Sequence, residues 1–126
     1  MVGGYAEGEA IVSSEPVSFF GGIDPQTGIV VERGHALEGE CITGKVFIFP
    51  SGKGSTVGSY VIYRMKKVGT APVAIINRET EEIIATGCVM SGIPLVDELD
   101  RDPLEALKDG VFMRVMADEG VIEVVD

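Results

Sequence analysis

Cys41-Ile42-Thr43-Gly44-Lys45-Val46-Phe47-Ile48-Phe49-Pro50-Ser51-Gly52-Lys53-Gly54-Ser55 is the stretch on which the fold turns. Within it, Val46-Phe47-Ile48-Phe49 is continuously apolar, the pattern of a strand buried on both faces. Ser51-Gly52-Lys53-Gly54-Ser55 follows as a glycine-rich turn. Beyond it, Val57, Tyr60, Val61, Arg64 and Val68 recur at spacings of three and four, which predicts an amphipathic helix over Ser55–Lys67. Gly69 stops it. A strand, a glycine-rich turn and a helix form the joint at which α/β folds receive anions. Loop amides and the helix N-terminus there point outward with partial positive charge.

Downstream of the joint, Val73–Ile76 reads as a second buried strand. Thr80 is placed to cap a helix through Met90, with Glu81 and Glu82 in its first turn, where the helix dipole favours acids. Gly92 ends that helix, and Ile93–Val96 returns to extended chain. Asp102-Pro103 opens a helical turn through Lys108. Val111–Met116 and Val121–Val125 make a terminal hairpin around Asp118-Glu119-Gly120. Upstream, strands are expected over Ala6–Val12, Pro16–Phe20 and Ile29–Val31. They are punctuated by Gly21-Gly22 and the turn Asp24-Pro25-Gln26-Thr27-Gly28. The order is β-rich, then β-loop-α-β-α-β, then a hairpin, which implies an α/β fold with a partly parallel central sheet. At 126 residues, with neither an internal repeat nor a long linker, one domain over residues 1–126 is expected.

Composition narrows the function. Ten basic residues stand against 20 acids, a formal net charge of -10, so nucleic acid and anionic membrane surfaces are poor partners. No apolar run reaches the roughly 18 residues needed to span a bilayer. The N-terminal Met1-Val2-Gly3-Gly4-Tyr5-Ala6-Glu7 has no basic region leading into an apolar stretch, so a cytoplasmic location is expected. Cys41 and Cys88 form no CxxC pair and read as two buried thiols; alone they cannot ligate a cluster. The single histidine, His35, follows Gly34 in a polar turn and reads as structural.

Nucleotide motifs fail at the glycine-rich turn. A nucleotide P-loop requires GxxxxGK followed by Ser or Thr, but here Gly54 follows Lys53, and Phe47 takes the earlier glycine position. Gly52, Gly54 and Gly58 give GxGxxxG instead of the dinucleotide fingerprint. No GxSxG elbow is present for a serine nucleophile. Ser55 therefore has two competing uses on the residues alone, as a helix N-cap or as a ligand-facing hydroxyl; Ser51 and Ser59 also read as caps.

The run Gly52-Lys53-Gly54-Ser55-Thr56 resembles the Gly-Glu-Gly-Ser-Ser segment of the aconitase swivel domain. Nearly the whole chain is similar to the small subunit of the aconitase X family. The stretches that carry this are Gly39-Glu40-Cys41-Ile42-Thr43-Gly44-Lys45, Pro50–Ser55, Ala74-Ile75-Ile76-Asn77 and Ser91-Gly92-Ile93-Pro94. The resemblance implies a swivelling β/β/α domain with additional β-strands. It implies a hydro-lyase (dehydratase) subunit that works only with a large subunit, as a heterodimer. That partner holds a 4Fe-4S cluster, with no metal on this chain. For archaeal members, the implied reaction converts (R)-5-phosphomevalonate to trans-anhydromevalonate 5-phosphate in the mevalonate pathway. Ser55 would be the proton acceptor, and Gly52, Lys53, Gly54 and Thr56 would lie against the substrate.

Two further dehydratase and non-dehydratase expectations stand beside it: a dehydratase of another hydroxy acid such as hydroxyproline, and a non-catalytic anion-binding module. Aconitase follows its serine pair with an arginine that holds a substrate carboxylate. Here Val57 follows Thr56, and the next cation on the helix is Arg64, which argues against a tricarboxylate. A phosphate would use Lys53 or the partner's cations. Asn77 reads as a turn cap, Arg64, Lys66 and Lys67 as a solvated helix face, and Phe19-Phe20 as a core pair with a partner contact as the alternative.

Overall fold

The computed structural model describes residues 2–125. Six strands form one sheet in the order β4-β3-β2-β1-β5-β6. They are β1 (Tyr5–Val12), β2 (Val46–Phe49), β3 (Ala74–Asn77), β4 (Leu95–Val96), β5 (Phe112–Met116) and β6 (Val121–Val125). The first four run parallel, with Ile11 opposite Phe47, Phe47 opposite Ile75 and Ile75 opposite Leu95. β5 pairs antiparallel with β1, and β6 closes the hairpin on β5. The partly parallel sheet expected from the element order is therefore present.

The continuous apolar run of β2 serves two cores. Phe47 and Phe49 point into one cluster with Ile62 and Met65 of α2 (Gly58–Val68), and Ile84 and Cys88 of α3 (Glu82–Ser91). Val46 and Ile48 point the other way, among Ala74, Ile76, Met113 and Val115, with Leu104 of the short α4 (Pro103–Ala106) against them. All four residues of β2 are fully buried because alternate side chains face opposite layers. α2 and α3 pack closely at Gly87, where a Cβ would meet Ile62 Cδ1 at 2.6 Å. Ser59 crosses the same seam, its hydroxyl donating to the Ile83 carbonyl at 2.8 Å. It is a tie between helices and not a cap.

Several local expectations change. Pro16–Phe20 is not a strand. Val17 alone bridges to Gly52, and Phe19–Gly22 makes a single kinked turn (α1) in which Gly21 takes φ 83. The Ser18 hydroxyl closes that turn by donating to the Phe20 carbonyl at 2.9 Å, which diverts the chain from extension. Ile29–Val31 contributes isolated bridges only, Ile29 to Cys41 and Val30 to Ile23, because the turns on either side leave no partner for a longer ladder. The cap of α3 is Glu81, whose carboxylate accepts from the Ile83 and Ile84 amides; Thr80 lies one residue too early, with a buried, unpaired hydroxyl. Phe19 and Phe20 part company: Phe19 packs edge-on against Phe47 at 6.2 Å, and Phe20 faces outward. Cys88 is buried as expected, but Cys41 is exposed, because the bridge to Ile29 turns its side chain off the core. The helical turn from Asp102-Pro103 stops at Ala106, with Asp102 as its cap. The Arg78 guanidinium beside Asp102, 3.0 Å away, holds that carboxyl below its ordinary range.

Candidate functional site

The glycine-rich turn lies at the C-terminal edge of the parallel strands, where open α/β sheets place their ligand sites. Its base is fixed from two sides. The Val17 amide donates to the Ser51 carbonyl at 3.1 Å, and the Lys53 amide returns to the Val17 carbonyl at 3.0 Å. On the β3 side, the Arg78 and Glu79 amides both donate to the Pro50 carbonyl, at 3.0 and 3.2 Å. Asn77, fully buried, donates from Nδ2 to the Phe49 carbonyl at 3.1 Å. Asn77 therefore ties β3 to β2 at the root of the turn instead of capping one.

The tip is different. Lys53, Gly54, Ser55, Thr56 and Val57 are all exposed. Gly54 has φ 91, and a Cβ there would meet Ser18 Oγ at 2.5 Å, so only glycine fits. Ser55 Oγ accepts from the Val57 amide at 3.2 Å, and the Ser55 carbonyl accepts from Gly58 at 2.9 Å. Both readings of Ser55 meet here. It caps a leading turn, since α2 proper begins one residue past Val57 with no side-chain cap of its own. Its hydroxyl proton remains uncommitted on an exposed tip. Among the described residues, the amides of Gly54, Ser55 and Thr56 find no acceptor. Three consecutive open amides beside a hydroxyl make a receptor for negative charge.

Lys53 pairs with Glu32 across 2.9 Å at a half-exposed position. Sequence reasoning missed Glu32, Ser18 and Val17 as neighbours of the turn. No local signal marks them, since they reach it only through chain reversal around α1. Gly52 is also held by its surroundings: a Cβ there would strike the Glu81 carboxylate and Ile84. Arg64, Lys66 and Lys67 are exposed along α2 as expected, and Lys67 Nζ lies 5.3 Å from the Tyr63 ring centroid. His35 is buried and structural. Its Nδ1 accepts from the Leu37 amide at 3.0 Å, which leaves Nε2–H to donate to the Pro16 carbonyl at 3.0 Å.

A hollow of about 550 Å³ opens at the opposite edge of the sheet, beside Tyr5, Gly44 and Pro94. It is an open gap between strand starts, on the far side of the sheet from the Ser55 turn. Among the described residues, no three His, Cys, Asp or Glu side chains come together in a metal-binding group. Cys41 and Cys88 also lie on different surfaces of the fold, one exposed and one in the core. The described side chains therefore do not fit an iron-sulfur cluster. No helix among the described residues is long and apolar enough to cross a membrane.

This combination of a parallel α/β layer with a glycine-serine turn at its ligand edge defines a swivel-type domain. The sequence matches the aconitase X swivel domain over residues 1–124, and the chain belongs to that family. It is 59% identical to the phosphomevalonate dehydratase small subunit of Methanosarcina acetivorans, over 97% of this chain and 85% of that protein. The crystal structure of Thermococcus kodakaraensis aconitase X in its holo form superposes with a TM-score of 0.94 at 54% identity, covering 99% of this chain and 93% of that one. The 3-isopropylmalate dehydratase of Methanocaldococcus jannaschii shares the fold alone, with a TM-score of 0.58 at 13% identity over 98% of this chain and 84% of that one.

Proposed function

We propose that this chain is the small subunit of a two-chain hydro-lyase that dehydrates (R)-5-phosphomevalonate to trans-anhydromevalonate 5-phosphate, with Ser55 as proton acceptor. The observation that carries the site is the display of Ser55 on an exposed tip, with open amides around it and one amide already aimed at Oγ. The substrate follows the relatives, which are named phosphomevalonate dehydratase small subunit at 50 to 59% identity. An iron-sulfur cluster held by the larger partner would supply Lewis-acid chemistry at the departing hydroxyl.

This chain's part is the proton. The carbon between the carboxylate and the hydroxyl-bearing carbon gives its proton to Ser55 Oγ. A serine hydroxyl is a poor base in water, so Ser55 Oγ first passes its own proton to solvent at the exposed tip, and the resulting alkoxide then takes the proton from the substrate's carbon. The Val57 amide at Oγ stabilises the resulting negative charge, and so does the N-terminal end of α2. Both gain strength when the partner covers the tip and excludes water. Thr56 and the glycine backbone of Gly52 and Gly54 lie against the substrate. Lys53, freed from or shared with Glu32, meets its phosphate.

The test is Ser55→Ala in the assembled two-chain enzyme. Turnover is expected to fall roughly 100- to 10,000-fold, with assembly and melting temperature close to wild type. A variant that keeps more than about a tenth of wild-type kcat has lost less than about 1.4 kcal/mol of barrier stabilisation, and Ser55 is then not the base.

A further inference from the structure

Four of the exposed large apolar side chains gather in one place. Phe20, Val31, Val57 and Tyr60 are 53, 48, 44 and 65% exposed, and all four line one groove of about 410 Å³ between α1 and α2. The backbone is shaped to display one of them. Phe20 leaves helical geometry (φ -81, ψ 114) and Gly21 follows at φ 83, so Phe20 swings outward while Phe19 stays in the core. An exposed phenylalanine at a built kink, adjoining three more large apolar side chains, marks an interaction surface.

The groove is continuous with the reacting tip. Val57 belongs to both: its side chain lines the groove, and its amide is the donor to Ser55 Oγ. Any chain that brings a substrate to Ser55 Oγ also lies over Val57. The groove's charge specifies its occupant further. Arg64 is the one charged residue lining it, in a chain of net charge -10, and Arg64 joins no ion pair among the described residues. An apolar slot with a single open guanidinium at its rim fits a segment that offers a large apolar side chain with a carboxylate nearby.

We infer that this groove is the docking site for the cluster-bearing large subunit, which inserts an apolar side chain among Phe20, Val57 and Tyr60 and pairs a carboxylate with Arg64. The inference rests on the two-chain reading above. It gives the departure from the aconitase pattern a physical sense, because the position after Thr56 carries an apolar interface contact, and the helix's first cation, Arg64, lies two turns further on and serves assembly.

The experiment measures association of the intact chain with its own large subunit, by titration calorimetry, for Phe20→Glu, Tyr60→Glu and Arg64→Glu. Val124→Glu, on the exposed hairpin, is the control. Phe20→Glu and Tyr60→Glu are expected to raise Kd by at least tenfold, Arg64→Glu by severalfold, and Val124→Glu by less than twofold. Each variant's circular dichroism is expected to match wild type. At saturating subunit, the complexes that form are expected to recover most of wild-type kcat, which separates docking from chemistry. Should the groove variants bind as wild type while Ser55→Ala still abolishes turnover, the docking site lies elsewhere and the two-chain reading stands. Should the wild-type chain bind no large subunit at all, that reading falls, and the docking site with it.

Discussion

Two β-loop-α joints stand side by side at the C-terminal edge of the parallel sheet, and they finish in opposite ways. After β3, the helix N-terminus is filled from within: Glu81 turns its carboxylate onto the Ile83 and Ile84 amides at 3.0 and 2.8 Å. After β2, among the described residues, no acidic side chain occupies the equivalent place. The tip is exposed, the amides of Gly54, Ser55 and Thr56 are open among the described residues, and the hydroxyl nearest them is that of Ser55. The first joint has satisfied its positive end with the chain's own anion. The second leaves its positive end open, as the proposed role of Ser55 would require. The two also support each other, since Gly52 packs so closely on Glu81 that a side chain would not fit between them. Shared topology thus places both joints at the ligand edge, and the residue that fills each one decides which is scaffold and which is site.

The contrast is broken most severely at Ser55. Ser55→Ala leaves the open joint's shape and removes its chemistry, with the large loss of turnover given above. Because Oγ accepts a single local hydrogen bond, the accompanying stability change is expected to be about 1 kcal/mol or less by thermal melting.

Gly54→Ala tests the shape instead. The residue would have to keep φ 91 and displace Ser18, at a cost of about 1–2 kcal/mol. The turn is expected to relax and carry Ser55 off its mark, with kcat falling roughly 10- to 100-fold in the assembled enzyme. An unchanged kcat would show that the open joint tolerates displacement and that Ser55 does not need its observed setting.

Glu81→Ala opens the closed joint. Loss of the cap is expected to cost about 1 kcal/mol, read as a fall of about 4 °C in melting temperature. Glu81→Gln, which keeps one acceptor oxygen, is expected to recover part of it. A melting temperature equal to wild type for Glu81→Ala would mean that water caps α3 equally well.

The smallest effect lies further along the closed joint's helix. Burial pushes the Cys88 thiol up to about 12 from an ordinary 9.0. The thiol is thus neutral in the fold, and its favourable burial is complete below about pH 9. Above that pH the unfolded chain releases the proton first, so stability declines as pH rises towards about 12. In native protein near neutral pH, Cys41 is expected to react with a thiol reagent and Cys88 to react only after denaturation; two equally fast thiols would contradict the burial.

Much of this was legible before the fold was known. The buried run Val46–Phe49 and the glycine-rich turn after it name the joint, because an apolar run and a break in it are local properties. Gly69 and Gly92 end their helices at φ 87 and 67, as glycine after a periodic segment suggests. The Ser55 cap could be read as well, one turn ahead of the regular helix. What failed did so where a residue's role is set by something distant. Pro16–Phe20 has strand-like composition, but its neighbours offer it only Gly52 to pair with. Cys41 looked like a core thiol because its burial depends on which way a single bridge to Ile29 turns it.

Read without coordinates, the sequence already places a strand, a glycine-rich turn and a helix in succession, with Ser55 at the turn's end. Those are consequences of residue spacing and backbone freedom within a few positions. That Glu81 closes the neighbouring joint, that Phe19 enters the core while Phe20 faces a groove, and that Glu32 meets Lys53 are features of the folded chain alone. Each of these depends on side chains brought together by chain reversal, and their distance in sequence carries no periodic signal.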